Sequence, residues 1–236
     1  MSKLIFDIET IGEDFESLDE TTQSVLTHWL KKEAESSAEY TEALAELKGR
    51  LGFSPLTGEI VALGIFDTER GHGAVYYQAP GESPVELEES GIKFKAMTEK
   101  EMLENFWKIS QSYSEFVTFN GRAFDVPFLM IRSAIHGLRP SRDLMSNRYL
   151  NSQKFDAKHI DLFDQLTFYG ALRRKGGLHL WCRAFGIKSP KDEGVTGDDV
   201  GRLFKEKKFL EIAKYNAGDL HATDKLYNYW EKFLRF

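Results

Sequence analysis

The pattern of apolar and polar positions changes period several times along the chain. In K-L-I-F-D-I-E, residues 3–9, apolar residues fill both alternating sets as far as position 6. That predicts a strand buried on both faces. Over residues 14–52 the spacing becomes helical. Leu18, Val25, Leu26, Trp29 and Leu30 share one side of a first helix, and Tyr40, Ala43, Leu44, Leu47 and Leu51 form the stripe of a second. Ser36 and Ser37 mark the break, so the segment reads as a helical hairpin. Strands are expected again at Glu59–Asp67 and Gly73–Ala79, with a short connection containing Gly71 that favours an antiparallel pair. Residues 80–97 are rich in Pro and Glu and read as a loop. Thr98 and Glu101 have capping-box spacing and predict a helix to about Tyr113. A short strand at Phe116–Phe119 leads through Asn120-Gly121 into a helix over Val126–His136. Another short strand is expected at His159–Leu162, and the remainder is helical, closing with a long helix over Lys208–Leu234. Strands first, then alternating helices and strands, then helices predict the α/β class, with a mixed sheet flanked by helices. No repeat or linker divides the 236 residues, so one domain is expected, with the hairpin inserted after the first strand.

A hydrophobic fraction of 42% fits a packed core and excludes a disordered chain. The single cysteine, Cys182, rules out an intramolecular disulfide and fits a reducing compartment. With Asp7 so close to the start no secretory signal is expected, and no apolar run approaches the ~20 residues of a membrane helix. A cytoplasmic protein with no membrane partner is expected.

The net charge of −6 opposes simple nucleic-acid binding, but its distribution changes the picture. Residues 13–50 hold ten acidic against four basic residues, which leaves 27 of each sign elsewhere. The body is therefore neutral, and the excess belongs to the hairpin. Between Arg132 and Lys158 there are six basic residues and two acidic ones. Bound metal ions also bring positive charge of their own.

The candidate chemistry lies in three separated carboxylate segments. Asp7 and Glu9, two apart on a strand, point to the same face as Ile5, while Phe6 and Ile8 point the other way. Two carboxylates at the end of a buried strand repel each other and lose hydration, and a divalent cation reverses that penalty. Mg²⁺ and Mn²⁺ favour such oxygen ligands. A strand end opening to solvent is the alternative. Asp125, in N-G-R-A-F-D-V-P, stands where a helix begins, so an N-cap explains it alone. Tyr215 and Asp219 are four apart on one face of the last helix, and Gly218 between them calls for a reason such as close backbone approach.

These segments resemble the three motifs of the DnaQ-like 3′–5′ exonucleases, a branch of the ribonuclease-H-like fold. Asp7-Ile8-Glu9 is similar to the first motif, D-x-E. Asn120 to Asp125 is similar to the second in the form seen in family-B DNA polymerases, N-x-x-x-F-D. Tyr215 to Asp219 is similar to the third, Y-x-x-x-D, the tyrosine (DEDDy) form. The sister form carries histidine where this chain has Lys214. From about residue 115 to 234 the chain also resembles the stand-alone predicted exonucleases related to the family-B exonuclease domain, through NGRAFDVPFL, HIDLFDQL, G-V-T-G-D-D-V and YNAGD. The hairpin at 14–52 has no counterpart.

The resemblance implies a five-stranded mixed sheet flanked by helices and a site holding two divalent ions, Mg²⁺ or Mn²⁺. By resemblance, Asp7, Glu9 and Asp219 ligate one ion, Asp7 bridges to the second, and Asp125 holds that one directly or through water. Two ions ~4 Å apart clamp the attacking and leaving oxygens of an in-line displacement. The implied substrate is single-stranded nucleic acid with a free 3′ end, DNA favoured over RNA, and the products are nucleoside 5′-monophosphates. Tyr215, whose ordinary pKa near 10 disfavours a bulk base, is expected to orient the attacking water. Asn120 and Phe124 are substrate-binding candidates. Phe124 suits base stacking, with a core position as the competing account. Asp161 is expected to cap a helix, as are Asp198 and Asp199. Arg173, Arg174 and Lys175 are either phosphate contacts or a solvated run. A silent nucleic-acid-binding or scaffolding module is the competing function, and no carboxylate is missing in the way that reading requires. The hairpin is expected to gate the site, dock a protein partner, or simply pack on the body.

Overall fold

The structure is a computed structural model and describes residues 3–83, 87–173, 175–189 and 194–235. Its strands are β1 (Lys3–Gly12), β2 (Gly58–Asp67), β3 (His72–Tyr77), β4 (Leu87–Glu89), β5 (Ile92–Ala96), β6 (Glu115–Thr118) and β7 (Lys158–Asp161). They form one mixed sheet in the order β4-β5-β3-β2-β1-β6-β7. β1, β6 and β7 run parallel, and β2 runs antiparallel to β1. The C-terminal ends of three parallel strands therefore gather on one rim, where open α/β sheets place their sites.

The sheet has seven strands among the described residues, not the expected five. The two extra strands lie in the segment expected to be a loop. Ile92 and Phe94 point inward while Lys93 and Lys95 point out, a strand pattern masked by its charged half. Ser90 and Gly91, at φ 52° and 78°, make the tight turn that joins β4 to β5. β5 then pairs in parallel with β3.

The inserted segment forms α1 (Glu20–Thr27), α2 (Leu30–Glu33) and α3 (Ser37–Arg50). The break at Ser36 falls where expected, and its hydroxyl caps α3 by accepting from Glu39 N at 3.2 Å. The first helix is itself interrupted after Thr27. Trp29 is 50% exposed and Val25 69%, so only part of the anticipated stripe turns inward.

The remaining helices are α4 (Glu99–Ser110), α5 (Asp125–Ile135), α6 (Leu162–Leu166), α7 (Leu178–Ala184), α8 (Val200–Lys205) and α9 (Phe209–Phe233). The Thr98 capping box opens α4 as expected. One core joins Ile5, Phe66 and Val75 of the sheet to Ala213, Ala217, Leu220 and Tyr227 of α9. The other joins Leu4, Phe6 and Ile65 to Phe106 and Trp107 of α4 and Phe128 of α5. Buried Glu99 fastens this second layer. It accepts from Arg132 Nε and Nη2 (2.9 and 2.7 Å) and from Ile60 N (2.8 Å), which fixes α5, and hence Asp125, against β2. No described helix is long and apolar enough to cross a membrane.

Candidate active site

β1 carries the first two carboxylates. Asp7 and Glu9 share the face of Ile5, which is the face covered by α9. Directly after Glu9 the β1–β2 register shifts through a bulge, as is common beside active sites. α9 brings Asp219 to them. Oxygens of Asp7, Glu9 and Asp219 all lie within 4.8 Å of one another.

Asp125 reaches the same place from the opposite layer. It is the first residue of α5 and not its cap, which is Phe124. Its Oδ1 accepts from Ile8 N at 3.0 Å, so the second motif is tied directly to the strand of the first. Asp125 stands outside the group of three oxygens, yet its charge acts on both Asp7 and Glu9.

The turn that delivers Asp125 is held by buried polar groups. Asn120 sits at φ 65°, a left-handed conformation that asparagine tolerates. Its N–H donates to Asp161 Oδ1 (2.8 Å), and that of Arg122 to Asp161 Oδ2 (3.0 Å). Asp161 also caps α6 through Phe163 N at 3.0 Å, so it does more than the cap expected of it. Gly121 N donates to Thr118 Oγ1 (3.2 Å), which lies 2.8 Å from His159 Nε2, while His159 Nδ1 lies 3.1 Å from Leu144 O. Since a carbonyl only accepts, His159 is protonated on Nδ1 and takes the Thr118 hydroxyl proton at Nε2. Phe124 is half-buried, its ring 5.1 Å from Phe128 and 6.3 Å from Phe53 at the exit of the insertion.

The electrostatics are unfavourable without cations. Burial, then the charges of Asp125, Asp219 and Glu9, push the Asp7 carboxyl well above its ordinary range. Burial, then Asp219 and Asp125, do the same to Glu9. Burial chiefly holds Asp125 up at about 7. No basic side chain forms an ion pair with Asp7, Glu9 or Asp125 among the described residues. A compact, acid-only set of oxygens suits hard divalent cations. Burial and the carboxylates of Asp219, Glu9 and Asp7 also raise the Tyr215 phenol, which is hydrogen-bonded to Asp219. Gly218 and Tyr215 line a cavity of about 560 Å³, together with Lys214, His221 and Lys225.

Two residues in the site escaped the sequence reading. Asn216 Nδ2 donates to Asp7 Oδ2 at 2.8 Å, and its side chain is fully buried. Gly64, paired with Asp7 across the ladder, leaves the space it occupies. The available signals were a polar residue within the buried face of a helix and a glycine within an apolar strand, V-A-L-G-I-F. Of the basic run at 173–175, Arg174 lies outside the described residues.

A family model described as "Predicted 3′–5′ exonuclease related to the exonuclease domain of PolB" matches residues 83–235, well over half the chain. The chain belongs to this family. The match includes Asp125, Tyr215 and Asp219, and Asp7 and Glu9 precede it. No curated protein matches the chain. Among solved structures, the family-B DNA polymerase from the hyperthermophilic archaeon Pyrobaculum calidifontis is similar over 99% of this chain, with a TM-score of 0.60 and 16% identity. The chain spans a quarter of that polymerase's length, and at this identity the likeness concerns the fold. This member of the predicted 3′–5′ exonuclease family thus shares the ribonuclease-H-like α/β architecture of a polymerase exonuclease domain.

Proposed function

We propose that this exonuclease removes nucleotides from the 3′ end of single-stranded nucleic acid, with DNA favoured, by a two-metal mechanism at Asp7, Glu9, Asp125 and Asp219. The observation that carries the reading is the convergence of Asp7, Glu9 and Asp219 oxygens within 4.8 Å, with Asp125 acting on them from the other layer. Asp7, Glu9 and Asp219 would hold one Mg²⁺ or Mn²⁺, and Asp7 with Asp125 the other. Such ions activate water and neutralise charge on a leaving 3′ oxygen.

The chain's own groups supply orientation. Asn216 fixes the Asp7 carboxylate through its 2.8 Å bond, and Ile8 N fixes Asp125. Tyr215 stays protonated, because burial and its acidic neighbours raise the phenol. It therefore serves as a hydrogen-bonding guide for water and not as a base. Asn120 shapes the second-motif turn, and the half-buried Phe124 offers a ring edge to the terminal base. The lone buried Cys182 agrees with a cytoplasmic setting.

The insertion is read as gating the site or carrying a protein partner. Its exit touches the second motif through Phe53 and Phe124, and Thr10 Oγ1 of β1 donates to Gly52 O at 2.7 Å. Replacing residues 14–50 by a short Gly/Ser loop tests this, and unchanged processivity and substrate choice would remove the gating role.

The decisive experiment incubates 5′-labelled single-stranded DNA and RNA with Mn²⁺, Mg²⁺ or EDTA, beside Asp7→Ala. A metal-dependent ladder shortening from the 3′ end, absent in the variant, supports the assignment. Activity that survives Asp7→Ala would overturn it.

A further inference from the structure

Phe168 is a large apolar side chain held out into solvent at a backbone conformation that bulky residues avoid. After α6, Phe168 and Tyr169 sit at φ 50° and 56°, followed by Gly170 at 99°. The Cβ crowds the neighbouring carbonyl there, and glycine or asparagine meets the requirement with less conflict. The turn is fixed by Tyr169 N donating to Asp164 O (2.7 Å) and Leu172 N to Thr167 O (3.1 Å). Tyr169 has a structural reason for its place. Its hydroxyl accepts from Leu150 N (3.2 Å) and Gln165 Nε2 (2.9 Å), and its ring lies 4.8 Å from that of Tyr149. Phe168 is 58% exposed, so packing gives it no comparable reason. An outlier that packing does not reward points to function.

The surroundings specify the chemistry. Tyr149 is itself 56% exposed. Arg148 Nε donates to Asp164 Oδ2 at 3.0 Å, one turn of chain before Phe168. Lys175 Nζ comes within 3.5 Å of where a Cβ on Gly170 would sit. Tyr149 and Arg148 come from the stretch 132–158, which holds six bases against two acids, although Arg132 is turned to buried Glu99 and Arg148 is paired with Asp164. Exposed rings interleaved with cations match unpaired bases joined by phosphates, because every base offers a face to stack and every linkage a negative charge. The patch is linked to the second motif through α6. α6 starts at Asp161, the carboxylate that holds Asn120 and Arg122 ahead of Asp125.

We propose that Phe168, with Tyr149 close by, is a stacking platform for an unpaired base of the strand, upstream of its 3′ end. The proposal rests on the exonuclease reading and adds the path of the strand beyond the reacting nucleotide. It makes this face selective for single strands, whose bases are free to stack.

Phe168→Gly is the informative variant, because it removes the ring and relieves the backbone. Binding of a fluorescein-labelled 20-nucleotide strand is read by anisotropy in EDTA, where cleavage is absent, and KM is read with Mn²⁺ for the same strand and for a dinucleotide. The variant is expected to melt no lower than the wild type and to bind the strand about tenfold more weakly. Its KM should rise on the 20-mer alone, and Phe168→Trp should restore binding. Equal binding of wild type and Phe168→Gly would overturn the proposal, as would an equal KM change on the dinucleotide. A changed oligomeric state in place of a changed affinity would assign the ring to a protein contact. If the wild type cleaves neither substrate, the exonuclease reading fails, while the anisotropy comparison still decides the platform.

Discussion

A Cβ on Gly64 would lie 2.1 Å from Asn216 Oδ1, so the glycine and the amide occupy one another's space. Asn216 in turn holds Asp7, which ties the middle of β2 to the geometry of the site. Gly64→Ala is therefore expected to cost about 1–3 kcal/mol through overpacking and to lower activity by displacing the amide. Asn216→Ala should fold but reduce metal affinity or turnover by roughly 10–100-fold, the usual effect of losing a group that orients a ligand. Thermal unfolding beside a cleavage assay separates the two. Full activity in Asn216→Ala would show that Asp7 needs no such support.

Buried carboxylates that repel one another should make metal binding a source of stability. At about 100 times Kd, a ligand specific to the folded state adds roughly 2.7 kcal/mol. For a domain of this size that is about 5–10 °C in melting temperature. The gain should be lost in Asp7→Asn. If Asp125 serves as a ligand, binding should also release protons near pH 7, because its carboxyl is held up at about 7. Titration calorimetry in two buffers of different ionisation enthalpy measures this. Identical heats in both would refute proton release.

Tyr215→Phe keeps the ring and removes the hydroxyl that meets Asp219. Turnover is expected to fall more than tenfold while KM for the strand changes little. Because the phenol stays protonated, the wild-type pH profile should contain no limb belonging to Tyr215. Unchanged turnover at saturating substrate would exclude a role in orienting water.

His159 gives the acid side of the stability curve a defined slope. Burial, then the nearby Arg122 charge, lower its pKa from 6.5 to about 3, so the folded protein keeps it neutral. Between those values the unfolded chain binds the extra proton, and stability is lost as pH falls below 6.5. The loss is about 1.4 kcal/mol per pH unit, or about 2 kcal/mol between pH 7 and pH 5. Asp125 acts in the opposite direction, so the comparison must be with His159→Gln. Urea midpoints at the two pH values should converge for wild type and variant as pH falls. Parallel curves would mean that His159 is not held neutral.

Much of the candidate site was legible because its acidic residues sit on regular elements with distinct spacings. Alternation fixed Asp7 and Glu9 on one face, and helical spacing paired Tyr215 with Asp219. What could not be read were relationships between elements. The role of Asp125 emerges only when Ile8 N is seen to bond it, since a carboxylate at a helix start looks like a cap. Asn216 and Gly64 acquire meaning only from each other. The edge strand β4 and its neighbour β5 were hidden because their outward positions carry charge, so Lys93, Lys95 and the glutamates made the segment resemble a loop. The break after Thr27 had no glycine or proline to announce it.

Asp7 and Asp219 stand 212 positions apart in the sequence and meet in one cluster. β1 is also an interior strand, and its partners β2 and β6 and its cover α9 are all formed by later sequence. Contacts of such separation are slow to form. The acids therefore stay apart in an unfolded chain until α9 docks on the sheet. Any event that strips α9 from the sheet would take Asp219 away from Asp7 and Glu9 and disperse the candidate cation site.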